Sequence, residues 1–106
     1  MEFNLTTEKG RKEAIKAFDD YGWMLYTGPW LLKKPWDLFS ATDVIQEQRK
    51  TAVDLIKAGK NNGVDEMKII IDETAGLDIG SEVEGIPVRA KIGKSGKISL
   101  EVKYKS

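Results

Sequence analysis

Cysteine and histidine are both missing from this chain of 106 residues. Without cysteine there is no disulfide, no thiol nucleophile and no thiolate metal site, a composition compatible with a reducing cytosol. Without histidine the chain lacks the side chain best suited to general acid–base work near neutral pH, the commonest transition-metal ligand and the usual pH sensor. Net charge is absent as well. Seventeen basic and seventeen acidic side chains cancel, so no overall field draws the protein to nucleic acid or an anionic membrane, and electrostatic function must come from local patches. No apolar run approaches the roughly 18 residues of a membrane span; the densest stretch, 22–32, is broken by Gly28 and Pro29. Residues Met1 to Leu5 have neither the charged start nor the apolar stretch of a secretory signal. The expectation is a soluble, cytoplasmic protein.

A chain of this length suits one hydrophobic core and would bury about 65% of the surface its unfolded form exposes, enough to fold without a staple. No cofactor is needed to explain folding. The whole of 1–106 reads as one domain, with a helical part over 1–62 and strands over 63–106.

Ala14, Ile15, Phe18 and Tyr21 recur at helical spacing and predict a first helix from about Thr7 to Tyr21, with Thr6 or Thr7 as its cap. Gly22 ends it, and Gly10 weakens its first turn by up to about 1 kcal/mol, so that end is expected to fray. A second helix follows Ser40. Ala41, Val44, Ile45, Gln48, Ala52, Leu55, Ile56 and Gly59 form one stripe, with Asp43, Glu47, Lys50, Asp54 and Lys57 opposite. The cluster Gly59 to Gly63 supplies its stop. From Glu66 the period changes to two: Met67, Ile69 and Ile71 alternate with Lys68, Ile70 and Asp72. Two further alternating runs, Ile86 to Ile92 and Ile98 to Tyr104, are joined by a glycine-rich turn over 93–97. Pro87 belongs at a strand start or on an edge. Residues 73–85 form either a structured loop or include a short strand near Ser81 to Glu84. The fold class predicted is α+β, two N-terminal amphipathic helices packed on one face of a three- to four-stranded antiparallel β-meander.

Three motifs invite a chemical reading and fail on their spacing. Gly93-Lys94-Ser95 resembles the end of a phosphate loop, but Val88 stands where the first glycine belongs and a strand follows in place of a helix. The run from Asp72 to Asp78 suggests a calcium loop, yet its twelfth position is Val83, where a bidentate carboxylate is required. Asp72, Asp78, Glu82 and Glu84 would be the ligands of any weaker divalent site. Paired carboxylates run glycosidase-type chemistry without histidine, but the acids here fall on a loop and on helix faces. Ser40, Ser81, Ser95 and Ser99 lack an evident base.

Two surface features remain. Residues 63–85 carry seven acids against Lys68 alone, whereas 86–106 carry six bases against Glu101 alone. Strand alternation puts Arg89, Lys91, Lys97, Lys103 and Lys105 on the outer face of the last hairpin, where they either solubilise the sheet and protect its edge or track a phosphate backbone. The segment from Trp23 to Phe39 holds all three tryptophans; its Trp30 and Trp36, with Lys33 and Lys34, have the composition of a partner-binding site, though large aromatics also serve as core fillers. Three functions follow in order: a non-catalytic protein-interaction module, a nucleic-acid binder using the basic face, and a histidine-free enzyme using carboxylates. Self-association into a homodimer is open as well, because Ile70 points outward and the strand after Ile86 leaves an edge to be covered.

Overall fold

The computed structural model describes residues 1–21, 41–83 and 85–104. The tryptophan-rich segment, with Trp30, Trp36, Lys33 and Lys34, lies outside the described residues, as does Lys105.

The chain opens with a strand that the alternation did not reveal, β1 (Glu2–Asn4). It is followed by α1 (Glu8–Tyr21), α2 (Ala41–Asn61), β2 (Glu66–Asp72), a single helical turn α3 (Glu73–Gly76) and a 3₁₀ turn over Ile79–Glu82. The hairpin β3 (Val88–Ile92) and β4 (Lys97–Lys103) completes it. The four strands form one mixed sheet in the order β1-β2-β4-β3. This α+β architecture corrects the expected antiparallel meander in three ways. β1 runs parallel to β2, with Phe3 opposite Ile69; β4, the last strand, lies in the middle between β2 and β3; and the helices are not both N-terminal, since a strand precedes them and α3 follows β2. The parallel pair exists because the helical half of the chain carries it back to the same end of the sheet before β2 begins. No short strand forms among the described residues of 73–85, which hold α3 and the 3₁₀ turn.

α1 starts where a threonine cap was expected. Thr7 Oγ1 accepts the Gly10 N–H at 3.0 Å, and Asn4 Oδ1 accepts the Thr6 N–H at 3.0 Å, so the turn between β1 and α1 is pinned by side chains at both ends. Gly10 does not mark a frayed end, as its helix propensity suggested. It is buried, and a Cβ there would collide with the Asn4 carbonyl. The helix thus approaches the strand backbone as closely as only glycine allows. Arg11, 4% exposed, donates from Nε to the Thr7 carbonyl at 3.3 Å. Burial lowers its pKa to about 10, with Glu8 acting the other way, and the guanidinium stays cationic at neutral pH.

α2 presents its expected stripe to the sheet: Val44, Gln48, Ala52, Leu55, Ile56 and Gly59 are buried, while Lys50 and Lys57 are exposed. Its middle is covered more completely than one stripe requires, because every residue from Thr51 to Ile56 is buried, Asp54 included. Just past the end of the helix stands Gly63, in a left-handed conformation at φ 71°. Its N–H reaches the Lys60 carbonyl while Val64 N–H reaches Gly59, the paired closure of a glycine-terminated helix. Gly59 has another use: Tyr104 packs over it, its hydroxyl donating to the Ile56 carbonyl at 2.7 Å.

Leu55, Ile56, Met67, Ile69, Ile71, Leu100 and Val102 meet in the core together with Phe3 and Leu5 of the N-terminal strand region. The inner faces of β2 and β4 alternate as their sequences require, with Met67, Ile69, Ile71, Ile98, Leu100 and Val102 all buried.

Candidate functional site

Two assemblies stand out, one inside the fold and one at its edge. In the first, α2 grips the segment between β2 and β3. The Gln48 amide, fully buried, donates to Asp72 Oδ2 at 2.6 Å and accepts the Asp72 N–H at 2.9 Å. Next to it Arg49 donates to Glu82 Oε2 and to the carbonyls of Ala75 and Leu77. The guanidinium therefore closes the C-terminal end of α3, where carbonyls lack helical partners. This is a structural clasp. Its acids are already engaged, and among the described residues no three metal-ligating side chains converge, so Asp72, Asp78 and Glu82 are not brought together as a cation site. Glu84 lies outside the described residues.

The second assembly is β3. Among the described residues it is an edge strand, bonded to β4 on one side, and Pro87 stands just before it, as a residue without an N–H should. Register places Val88 opposite Val102, Ala90 opposite Leu100 and Ile92 opposite Ile98. Residues directly opposite share a face, so all six point to the helix side of the sheet. Those on β4 are buried. Those on β3 are progressively uncovered: Val88 is half-buried, Ala90 exposed and Ile92 81% exposed. The inner face thus runs apolar past the end of the core. An isoleucine left this open forgoes most of the roughly 1.5–3 kcal/mol that its burial would contribute.

The turn fixes how β3 presents its backbone. Ser95 and Gly96 both have positive φ, 62° and 73°, as a primed two-residue turn requires. Lys97 N–H reaches the Lys94 carbonyl and Gly93 N–H reaches the Lys97 carbonyl at 2.8 Å. Gly93 and Lys94 together oppose Lys97, a bulge at the hairpin end. Bonded positions recur every second residue in an antiparallel pair. Arg89 and Lys91 therefore turn their backbone groups toward β4, and Val88, Ala90 and Ile92 turn theirs to the open edge.

Of the expected basic face, Arg89, Lys91, Lys97 and Lys103 lie on the outer side of the hairpin, interleaved with acids. Glu101 lies in register between Arg89 on β3 and Lys68 on β2, Lys97 opposite Asp72, and Lys103 opposite Glu66. Opposite charges at facing positions support a sheet. Lys91, opposite Ser99, is the basic residue of β3 with no acid facing it across the strand pair. Arg89 and Lys91 are both exposed, so β3 itself is apolar on its inner face and cationic on its outer face.

Alternation correctly assigned the face of each β3 residue. It did not reveal that α1 and α2 leave Ala90 and Ile92 exposed, because cover is a property of distant elements. Nor did it reveal Gln48 and Arg49, which lie on α2 at positions a polar residue occupies for many reasons. Two grooves lie nearby, one of 370 Å³ at the end of β1, β2 and β4 and one of 410 Å³ beside Pro87, Val88 and Arg89. No family model, curated protein or solved structure matches the chain.

Proposed function

We propose that the chain is a small non-catalytic protein-interaction module whose docking element is β3. One observation carries this reading: Ile92 is 81% exposed on an edge strand while Ile98, directly across from it, is buried. Large apolar side chains held in water at a sheet edge mark contact surfaces. No helix among the described residues is long and apolar enough to cross a membrane, and a cytosolic setting agrees with a chain that carries no thiol. Nucleic-acid binding through Arg89, Lys91, Lys97 and Lys103 draws less support, because facing acids divide that surface. Carboxylate catalysis draws less still, since Asp72 and Glu82 are already engaged by Gln48 and Arg49.

Affinity capture with the unmodified protein and with Ile92→Asp tests the reading. A protein recovered with the first and lost with the second, and bound again in a titration of the two purified proteins, is the expected result. Equal recovery on both, or no partner at all, overturns it.

A further inference from the structure

β3 offers three things at once on a strand of five residues: backbone groups along one edge that no strand among the described residues pairs with, an apolar face, and a cationic face. The open backbone groups belong to Val88, Ala90 and Ile92, by the alternation set at Gly93 and Lys97. The apolar face is made by the same three side chains, and Arg89 and Lys91 supply the charge. An added strand would present its own alternating side chains to those two faces.

Charge decides what that strand is. A second copy of β3, added antiparallel in register, would set Arg89 and Lys91 of one copy against the same pair of the other, and like charges at facing positions oppose pairing. A strand carrying acids on its outer face would instead gain from both. We infer that β3 accepts, by strand addition, an extended segment of another protein in which acidic residues alternate with apolar ones. The acids would lie beside Arg89 and Lys91, and the apolar residues would extend the inner face past Ala90 and Ile92. This inference rests on β3 being the docking element and adds the mode of docking and the chemistry of the partner.

A blocked heptapeptide alternating glutamate and valine is the probe, with lysine in place of glutamate as its control. Binding is followed by titration and by hydrogen exchange at single amides. The acidic peptide is expected to bind and to slow exchange at Val88, Ala90 and Ile92 by about tenfold or more, since each amide gains a strand partner. Ala90→Pro removes an outward N–H without removing a bond to β4, and Lys91→Glu reverses a charge that faces only Ser99. Each is expected to weaken the acidic peptide by about tenfold at an unchanged thermal midpoint.

Equal binding of the lysine peptide, no binding of either, or indifference to Ala90→Pro overturns the inference. Slow exchange at these amides in the free protein would mean that the edge is already covered, by the chain itself or, where protection grows with protein concentration, by a second copy. Either result also overturns it. A purified partner that depends on Ile92 but not on Ala90→Pro would remove strand addition and leave the interaction reading standing. Loss of every Ile92-dependent partner would remove both.

Discussion

The side chain of Gln48 reads both the carboxylate and the backbone N–H of Asp72, at 2.6 and 2.9 Å. A single amide thereby fixes the point where β2 ends and α3 begins. Asp72 uses none of its own oxygens to cap α3, so the junction depends on the helix across from it. Gln48→Leu is expected to cost about 1–3 kcal/mol in urea unfolding, because the Asp72 groups lose their partner while staying partly buried. Gln48→Glu gives the same contact a second carboxylate. The like charge raises the folded-state pKa of the new acid above its unfolded value of about 4.3. Its deficit relative to the parent should therefore be small in acid and grow as pH rises through that value. A deficit independent of pH would show that the two carboxylates do not meet.

Arg49 holds the Ala75 and Leu77 carbonyls and the Glu82 carboxylate. Arg49→Met keeps the aliphatic length and removes the donors. Hydrogen exchange should then accelerate over residues 73–83 while β2 and β4 keep their protection, as a locally stabilised segment behaves. Uniform acceleration throughout the sheet would contradict a local clasp.

Glycine at position 10 makes two arguments predict opposite signs. Helix propensity alone gives Gly10→Ala a gain of up to about 1 kcal/mol. The structure gives a loss, because the new methyl would occupy the space of the Asn4 carbonyl and force α1 away from β1. Thermal unfolding of this variant decides between them, and a lowered midpoint is expected.

Tyr104 donates its hydroxyl to Ile56 beside Gly59, and burial pushes its pKa up from 10.0 to about 12. The unfolded chain ionises this tyrosine first. Stability contributed by its neutral form is therefore present below pH 10 and falls as pH rises from 10 toward 12. Difference absorbance between the parent and Tyr104→Phe should place this phenolate well above the ordinary tyrosine range. Gly59→Ala, whose Cβ would come within 2.8 Å of the ring carbon bearing the hydroxyl, should displace the ring and bring the transition back toward 10.

Ile92 and Ile98 face each other across the hairpin and differ in cover. Ile92→Thr should change stability by less than about 0.5 kcal/mol, as exposed substitutions do. Ile98→Ala should cost about 2–5 kcal/mol, the range for emptying a packed position. Similar costs at the two positions in urea unfolding would mean that Ile92 is buried in solution.

Much of this architecture was legible because it is local. The alternation of Met67, Ile69 and Ile71, the stripe on α2, the Thr7 cap, the turn over 93–97 and the edge position after Pro87 each rest on neighbours a few residues apart. What escaped was set by distance. β1 spans three residues, too few for alternation to register, and its pairing with β2 is decided by partners more than sixty positions away. Gly10 looked like a weakness because its partner, the Asn4 carbonyl, comes close only once β1 and α1 fold together. Asp54 was assigned to the solvent side of α2, yet it is buried because α2 is covered on more than one face. Of the candidate sites, alternation set Arg89, Lys91, Lys97 and Lys103 on one side of the hairpin, but it could not show the acids that divide them, which come from β2 and from β4 itself.

The parallel seating of β1 also bears on the order in which the molecule is assembled. β2, β3 and β4 lie within forty residues of one another and can pair through short closures, whereas Phe3 must wait for Ile69 to exist and then close a loop spanning most of the chain, a slow step by its entropy. β1 is therefore expected to join the sheet last. Shortening Phe3 should speed unfolding far more than it slows refolding, and a ribosome-bound chain that has not yet released residue 70 must carry Phe3 and Leu5 without the strand that shelters them.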